Sequence, residues 1–129
     1  MTLCYLDHVN IRTARLEELT AFYQEVLGLA PGDRPPFAVN GTWLYCGERA
    51  AVHLVEVEKT PDTGPPRLEH FAFRAEGIEA FLEHLSALDV PCEISDVPGW
   101  GIRQVNVSDP DGNHVEIAFG PVETERSRR

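Results

Sequence analysis

The chain has 129 residues, 43% of them apolar, and a net charge of −10; this is enough for one real core and lies in the usual size range of one domain. The acidic balance, with Lys59 as the single lysine, excludes a surface that tracks nucleic-acid phosphates. No apolar run approaches bilayer length and the N-terminus lacks a basic-then-apolar signal, so no membrane partner is expected.

In chain order, residues 5–12 alternate strictly and read as a half-buried strand. Leu16, Leu19, Phe22, Tyr23, Val26 and Leu27 then recur at helical spacing, and Gly28 stands where a helix stop belongs. Short strands follow around 38–45 and 51–58. Lys59–Arg67, rich in Pro, Asp and Gly, reads as a linker. A second alternating strand covers 69–75, and Ile78, Phe81, Leu82, Leu85 and Leu88 mark a helix over 77–88 that ends near Pro91. Strands around 93–95, 102–108 and 114–119 complete the chain. Asp109-Pro110-Asp111-Gly112-Asn113 has the turn residues that a hairpin between the last two needs. Residues 121–129 read as a frayed tail. Cys4, Cys46 and Cys92 form neither a disulfide framework nor a CxxC motif, so they read as small buried hydrophobes of a reduced, cytoplasmic protein.

The same pattern is written twice. Leu6-Asp7-His8-Val9-Asn10-Ile11-Arg12 returns as Leu68-Glu69-His70-Phe71-Ala72-Phe73-Arg74, 62 residues later, and Val52-His53-Leu54 matches Val115-Glu116-Ile117 at an offset of 63. Two units are too few for a stacked solenoid, so the repeat lies inside one domain, residues 1–129, made of modules at about 5–58 and 68–120. Each module places a His near its start and a His or Glu near its end. If the modules pack about a pseudo-two-fold axis, His8, His53, His70 and Glu116 converge on one point.

Strand parity assigns the faces. Val9, Ile11, Phe71, Phe73, Val105, Val107, Val115, Ile117 and Phe119 point one way and should carry the helices. His8, Asn10, Arg12, His70, Arg74, Gln104, Asn106, His114 and Glu116 point the other way. A solvated face would favour Lys, Glu, Thr and Ser, so imidazoles and amides there indicate a polar cavity. Three imidazoles and one carboxylate suit Zn²⁺, Ni²⁺, Mn²⁺ or Fe²⁺, leaving one or two positions for water or substrate. Singly, each His is more often a packed residue than a ligand; the matched placement is what favours a metal site. His84 falls on the surface of a helix, and His114 sits at the hairpin mouth, which makes it a weaker candidate. Asn10, Gln104 and Asn106 would hydrogen-bond a polar substrate, and Arg12 and Arg74 would either clamp its carboxylate or pair with rim acids. Trp43, Tyr45 and Trp100 read as aromatic walls or as core, with Phe37 and Pro35-Pro36 bordering the entrance.

The residues Leu6-Asp7-His8-Val9, Phe22-Tyr23-Gln24-Glu25-Val26-Leu27-Gly28-Leu29, Leu68-Glu69-His70-Phe71-Ala72-Phe73 and Asp109-Pro110-Asp111-Gly112-Asn113-His114-Val115-Glu116-Ile117 resemble the vicinal oxygen chelate superfamily. That superfamily includes glyoxalase I, epimerases, extradiol dioxygenases and bleomycin- and fosfomycin-type resistance proteins, and the resemblance spans residues 5–120. It implies an α+β fold of two tandem βαβββ modules, a cupped sheet of mixed and antiparallel strands with helices outside, around a divalent metal ion. It also implies a small-molecule substrate and a homodimer. His8, His70 and Glu116 match the family's ligand positions, whereas His53 stands where glyoxalases carry a carboxylate. That departure weighs against a conventional glutathione glyoxalase, which uses a base on either side of its substrate. Glu116 alone suffices for one-sided proton transfer, so the expected chemistry is that of a glyoxalase-like lyase, isomerase or epimerase, with Glu116 as ligand and catalytic base. An extradiol-type dioxygenase is the second expectation, if His53 stays off the metal; a drug-binding resistance protein is the third.

Overall fold

The computed structural model describes residues 1–62 and 64–121, in two compact units, Met1–Thr63 and Gly64–Arg129. The tail expected over 121–129 lies, from residue 122 onward, outside the described residues.

The first unit runs β1 (Val9–Thr13), α1 (Leu16–Glu25), β2 (Ala30–Pro31), β3 (Gly41–Cys46) and β4 (Arg49–Glu56). The strands form one sheet in the order β1-β4-β3-β2, with β1 parallel to β4 and the other pairs antiparallel. Only β4, β3 and β2 can be joined by short turns; the parallel β1 needs a crossover, and α1 lies in that connection. The apolar stripe of α1 puts Leu19 and Tyr23 at 0% exposure, as are Leu44, Val52 and Leu54 of the sheet. Burying each such aliphatic side chain stabilises by roughly 1.5–3 kcal/mol. The helix stops at Gly28, whose φ of 73° places it in the left-handed region. There the Gly28 and Leu29 N–H groups donate to the carbonyls of Gln24 and Tyr23, at 3.1 and 3.0 Å.

The second unit repeats the plan as β5 (Phe71–Ala75), α2 (Ile78–Ala87), β6 (Glu93–Val97), β7 (Ile102–Ser108) and β8 (His114–Phe119). Its sheet order is β5-β8-β7-β6, again with the first strand parallel to the last. Val105, Val107, Val115, Ile117 and Phe119 are buried together with Ile78 and Leu85 of α2, and the Phe81 ring lies 6.1 Å from that of Phe119. The helix ends with the Val90 N–H donating to the Leu85 carbonyl at 2.9 Å, and with Asp89 at a positive φ of 54°. The β7–β8 hairpin is built on Asp109. Its buried carboxylate accepts the N–H groups of Asp111 and Asn113 at 3.0 and 2.8 Å, and the Asn113 side-chain amide at 2.8 Å. This ties down the loop that launches His114.

The expected fold class therefore holds: two βαβββ units, each a four-stranded mixed sheet with one helix. Three details differ from the sequence reading. The first ladders begin at Val9↔Val52 and Phe71↔Val115, so His8 and His70 each stand one residue ahead of a strand; alternation reports which way side chains face, not where hydrogen bonding starts. The two-residue β2 is the third strand that the βαβββ plan implied for the first unit, but the periodicity located only the strands around 38–45 and 51–58, because β2 is too short for any period to register. Cys4, Cys46 and Cys92, expected to be buried, are all exposed. Cys4 and Cys92 precede the strands β1 and β6, and Cys46 ends β3 beside the turn, so none falls on a buried row.

Candidate functional site

Register gives the two units equivalent corners. In the first, β1 lies on β4 with Asn10 opposite His53; in the second, β5 lies on β8 with Ala72 opposite Glu116. His8 and His70 precede these ladders by the same step.

In the first unit three rings form a stack. Trp43 pairs with His53 across the β3–β4 ladder and covers it at 4.0 Å between ring centroids, 11° from parallel. His8 covers the opposite face of His53 at 3.9 Å and 11°. His53 is left only 8% exposed. Its pKa is lowered from 6.5, first by burial and then by the neighbouring His8, so it is held neutral with a lone pair available. His8 Nδ1 lies 2.7 Å from the Asp7 carboxylate. A carboxylate accepts, so Nδ1 carries the hydrogen and Nε2 of the neutral ring is free to ligate. These rings and Asn10 line a cavity of about 620 Å³ with Phe37, Arg34 and Tyr5. The Arg34 guanidinium lies over the Phe37 ring at 5.0 Å and donates to the Val39 carbonyl at 2.8 Å, while its buried Nε has no hydrogen-bond partner among the described residues.

In the second unit His70 Nε2 lies 3.8 Å from Glu116 Oε1, with the Glu116 side chain 12% exposed. His70 Nδ1 is buried with no hydrogen-bond partner among the described residues, although Glu69 Oε1 is 3.4 Å away. Glu69 Oε1 also lies 3.6 Å from His114 Nδ1, and one ligand atom from each of Glu69, His70 and His114 fits within 4.8 Å of the others. A relay runs behind them: Ser95 Oγ donates to Gln104 Oε1 at 3.1 Å and accepts from Asn106 Nδ2 at 3.3 Å, and Asn106 Oδ1 lies 2.8 Å from His114 Nε2.

Thus the first unit brings His8 and His53 together with Asn10, and the second brings His70 to Glu116. Gln104 and Asn106 are engaged with one another's neighbours in the relay. Arg12 and Arg74 are both exposed, and Arg74 Nη2 passes so close over Gly120 that a Cβ there would lie 2.7 Å from it. Glu69 and Arg34 were not foreseen. The signal for Glu69 was its match to Asp7 in the repeat, each carboxylate preceding a His; Arg34 had none, because it lies in a loop without periodicity. The donor set suits a first-row divalent ion: imidazoles with free lone pairs, carboxylates, and in His70 a buried nitrogen with no hydrogen-bond partner among the described residues.

A family model described as the Glyoxalase/Bleomycin resistance protein/Dioxygenase superfamily matches residues 5–117. The chain is 32% identical over 124 residues to Glyoxylase I 4 of Arabidopsis thaliana, covering 89% of this chain and 70% of that protein. Lactoylglutathione lyase from Agrobacterium tumefaciens is similar in structure, with a TM-score of 0.68 at 23% identity over 95% of this chain and 98% of that one. TnmS3, an antibiotic binding protein from Streptomyces sp. CB03234, has a TM-score of 0.71 at 22% identity, over 93% and 98% of the two chains. At these identities the two structures share the fold.

Proposed function

The chain belongs to the Glyoxalase/Bleomycin resistance protein/Dioxygenase superfamily, and from that premise we propose that it is a divalent-metal-dependent lyase or isomerase of the glyoxalase-like type. Its substrate is a small molecule that chelates through two adjacent oxygens. As its metal ligands we propose His8, His53, His70 and Glu116. The observation that carries this reading is the pairing within each unit: His8 stacked on His53, and His70 Nε2 facing Glu116 Oε1.

A bound Zn²⁺, Ni²⁺, Mn²⁺ or Fe²⁺ supplies Lewis acidity to the substrate oxygens. The protein supplies the rest. Asp7 holds the His8 tautomer, and the Trp43 and His8 rings hold His53 neutral and fixed. Glu116, the single carboxylate of the set, would take the proton from the carbon beside one of the substrate's oxygens at a carboxylate oxygen and return it. Asn10 orients polar groups of the substrate, Arg12 and Arg74 receive the substrate's acid group, and Gln104 and Asn106, placed on the same face by parity, are held in the relay behind His114. Trp43 and Phe37 wall the cavity beside His53 and shed water from it. Three exposed thiols without a disulfide support a reduced, cytoplasmic setting, and we take the working form to be a homodimer.

Elemental analysis of protein purified without added metal tests the reading. Stoichiometric Zn, Ni or Mn in the wild type, lowered in His8→Ala, is the expected result. A chain with no stoichiometric metal would refute it and leave a ligand-binding protein; iron with oxygen uptake on catechols would move it to the dioxygenases.

A further inference from the structure

Three candidate ligand atoms, from Glu69, His70 and His114, gather in the second unit, a grouping that shares only His70 with the four-ligand set. Asn106 organises them. Its Nδ2 donates to the Glu93 carbonyl at 3.1 Å and to Ser95 Oγ at 3.3 Å, which turns its Oδ1 towards His114 Nε2, 2.8 Å away. An amide oxygen only accepts, so Nε2 carries the hydrogen and Nδ1 of the neutral ring carries the lone pair. That Nδ1 faces Glu69 Oε1 at 3.6 Å. Glu69 Oε1 in turn faces His70 Nδ1 at 3.4 Å, and that nitrogen is buried with no hydrogen-bond partner among the described residues. Two imidazole nitrogens and a carboxylate oxygen lie within 4.8 Å of one another. In a tetrahedral shell with bonds of about 2.0–2.2 Å, ligand atoms stand roughly 3.3–3.6 Å apart, so only a slight closure is needed.

We propose that Glu69, His70 and His114 hold a divalent cation within the second unit alone, His70 binding through Nδ1, with a fourth position open to water. Two imidazoles and a carboxylate are a Zn²⁺-type donor set. This position goes beyond the four-ligand reading and shares only His70 with it. There His70 Nε2 faces Glu116 at 3.8 Å; here its Nδ1 is used. A neutral imidazole has one lone pair, so the two positions compete for one ring and an ion occupies one at a time.

The test uses the full chain stripped by chelator and titrated with Co²⁺, followed by visible absorption, with folding checked by circular dichroism. In H8A/H53A, or in H8Q/H53Q should the alanine pair fail to fold, about one Co²⁺ per chain is expected to remain bound. Adding His114→Ala or Glu69→Gln to that background should weaken binding about ten-fold or more, the scale on which even outer-shell changes act. If the paired variants bind no Co²⁺ while the wild type does, the inference is overturned and the four-ligand reading stands. If binding in that background ignores both His114→Ala and Glu69→Gln, the inference is overturned and His114 merely pairs with Glu69. If the wild-type affinity ignores the loss of His8 and His53 but falls with His114→Ala, the inference stands and the four-ligand reading falls. A wild type that binds no Co²⁺ overturns both.

Discussion

His8 and His53 lie face to face, 3.9 Å between ring centroids and 11° from parallel. Such an arrangement is unfavourable if both rings are charged. Burial first, and His8 second, accordingly hold the His53 pKa below 6.5. In the unfolded chain His53 takes up its proton near 6.5; in the fold it does so only at lower pH. Between those two values the unfolded state binds more protons, so stability increases with pH across the window. We expect the metal-free chain to keep this contribution in full above pH 6.5 and to lose it as the pH falls through the folded value. Denaturation curves of wild type and His53→Gln at several pH values measure it; parallel pH profiles would refute it.

Trp43 covers the other face of His53 at 4.0 Å. Trp43→Ala removes that cover, and the His53 pKa should move up towards its ordinary value, which imidazole resonances followed by NMR would report. Trp43→Phe keeps an aromatic face and should leave most of the depression in place. An unchanged His53 titration in Trp43→Ala would mean that the stack does not contribute to it.

Glu116 and His53 occupy equivalent strand positions but separate by role. Glu116→Gln should abolish turnover even where some metal stays bound, since no other carboxylate of the set can take the proton. His53→Ala should chiefly lower metal occupancy. Full metal content with lost activity in His53→Ala would instead make His53 an acid–base group beside a three-ligand triad, the arrangement that suits a dioxygenase. Normal metal and normal turnover in both variants would refute the assignment.

Asp109 is 4% exposed and accepts three hydrogen bonds that shape the β7–β8 loop. Asp109→Ala strands those donors and should cost about 2–3 kcal/mol in chemical denaturation. Asp109→Asn keeps one acceptor oxygen and should cost less. Equal stability of all three chains would show that the loop holds its shape without the carboxylate.

The local order of this chain is written in its periods. Helical spacing over 16–27 and 77–88 and alternation over 102–108 and 114–119 set which side chains share a face, and those elements appear at Leu16–Glu25, Ile78–Ala87, Ile102–Ser108 and His114–Phe119. The repeat likewise marked His8, His53, His70 and Glu116 as equivalent pairs, because an offset of 62 or 63 residues is visible without coordinates. What the linear chain does not carry is lateral distance. Trp43 and His53 stand ten residues apart, and only the β3–β4 register sets one ring on the other. Glu69 and His114 meet across 45 residues because β5 lies parallel to β8 and the Asp109 loop fixes where β8 begins. Periodicity records which face a side chain points to; which atoms then meet on that face is decided by strand pairing, which depends on partners remote in sequence.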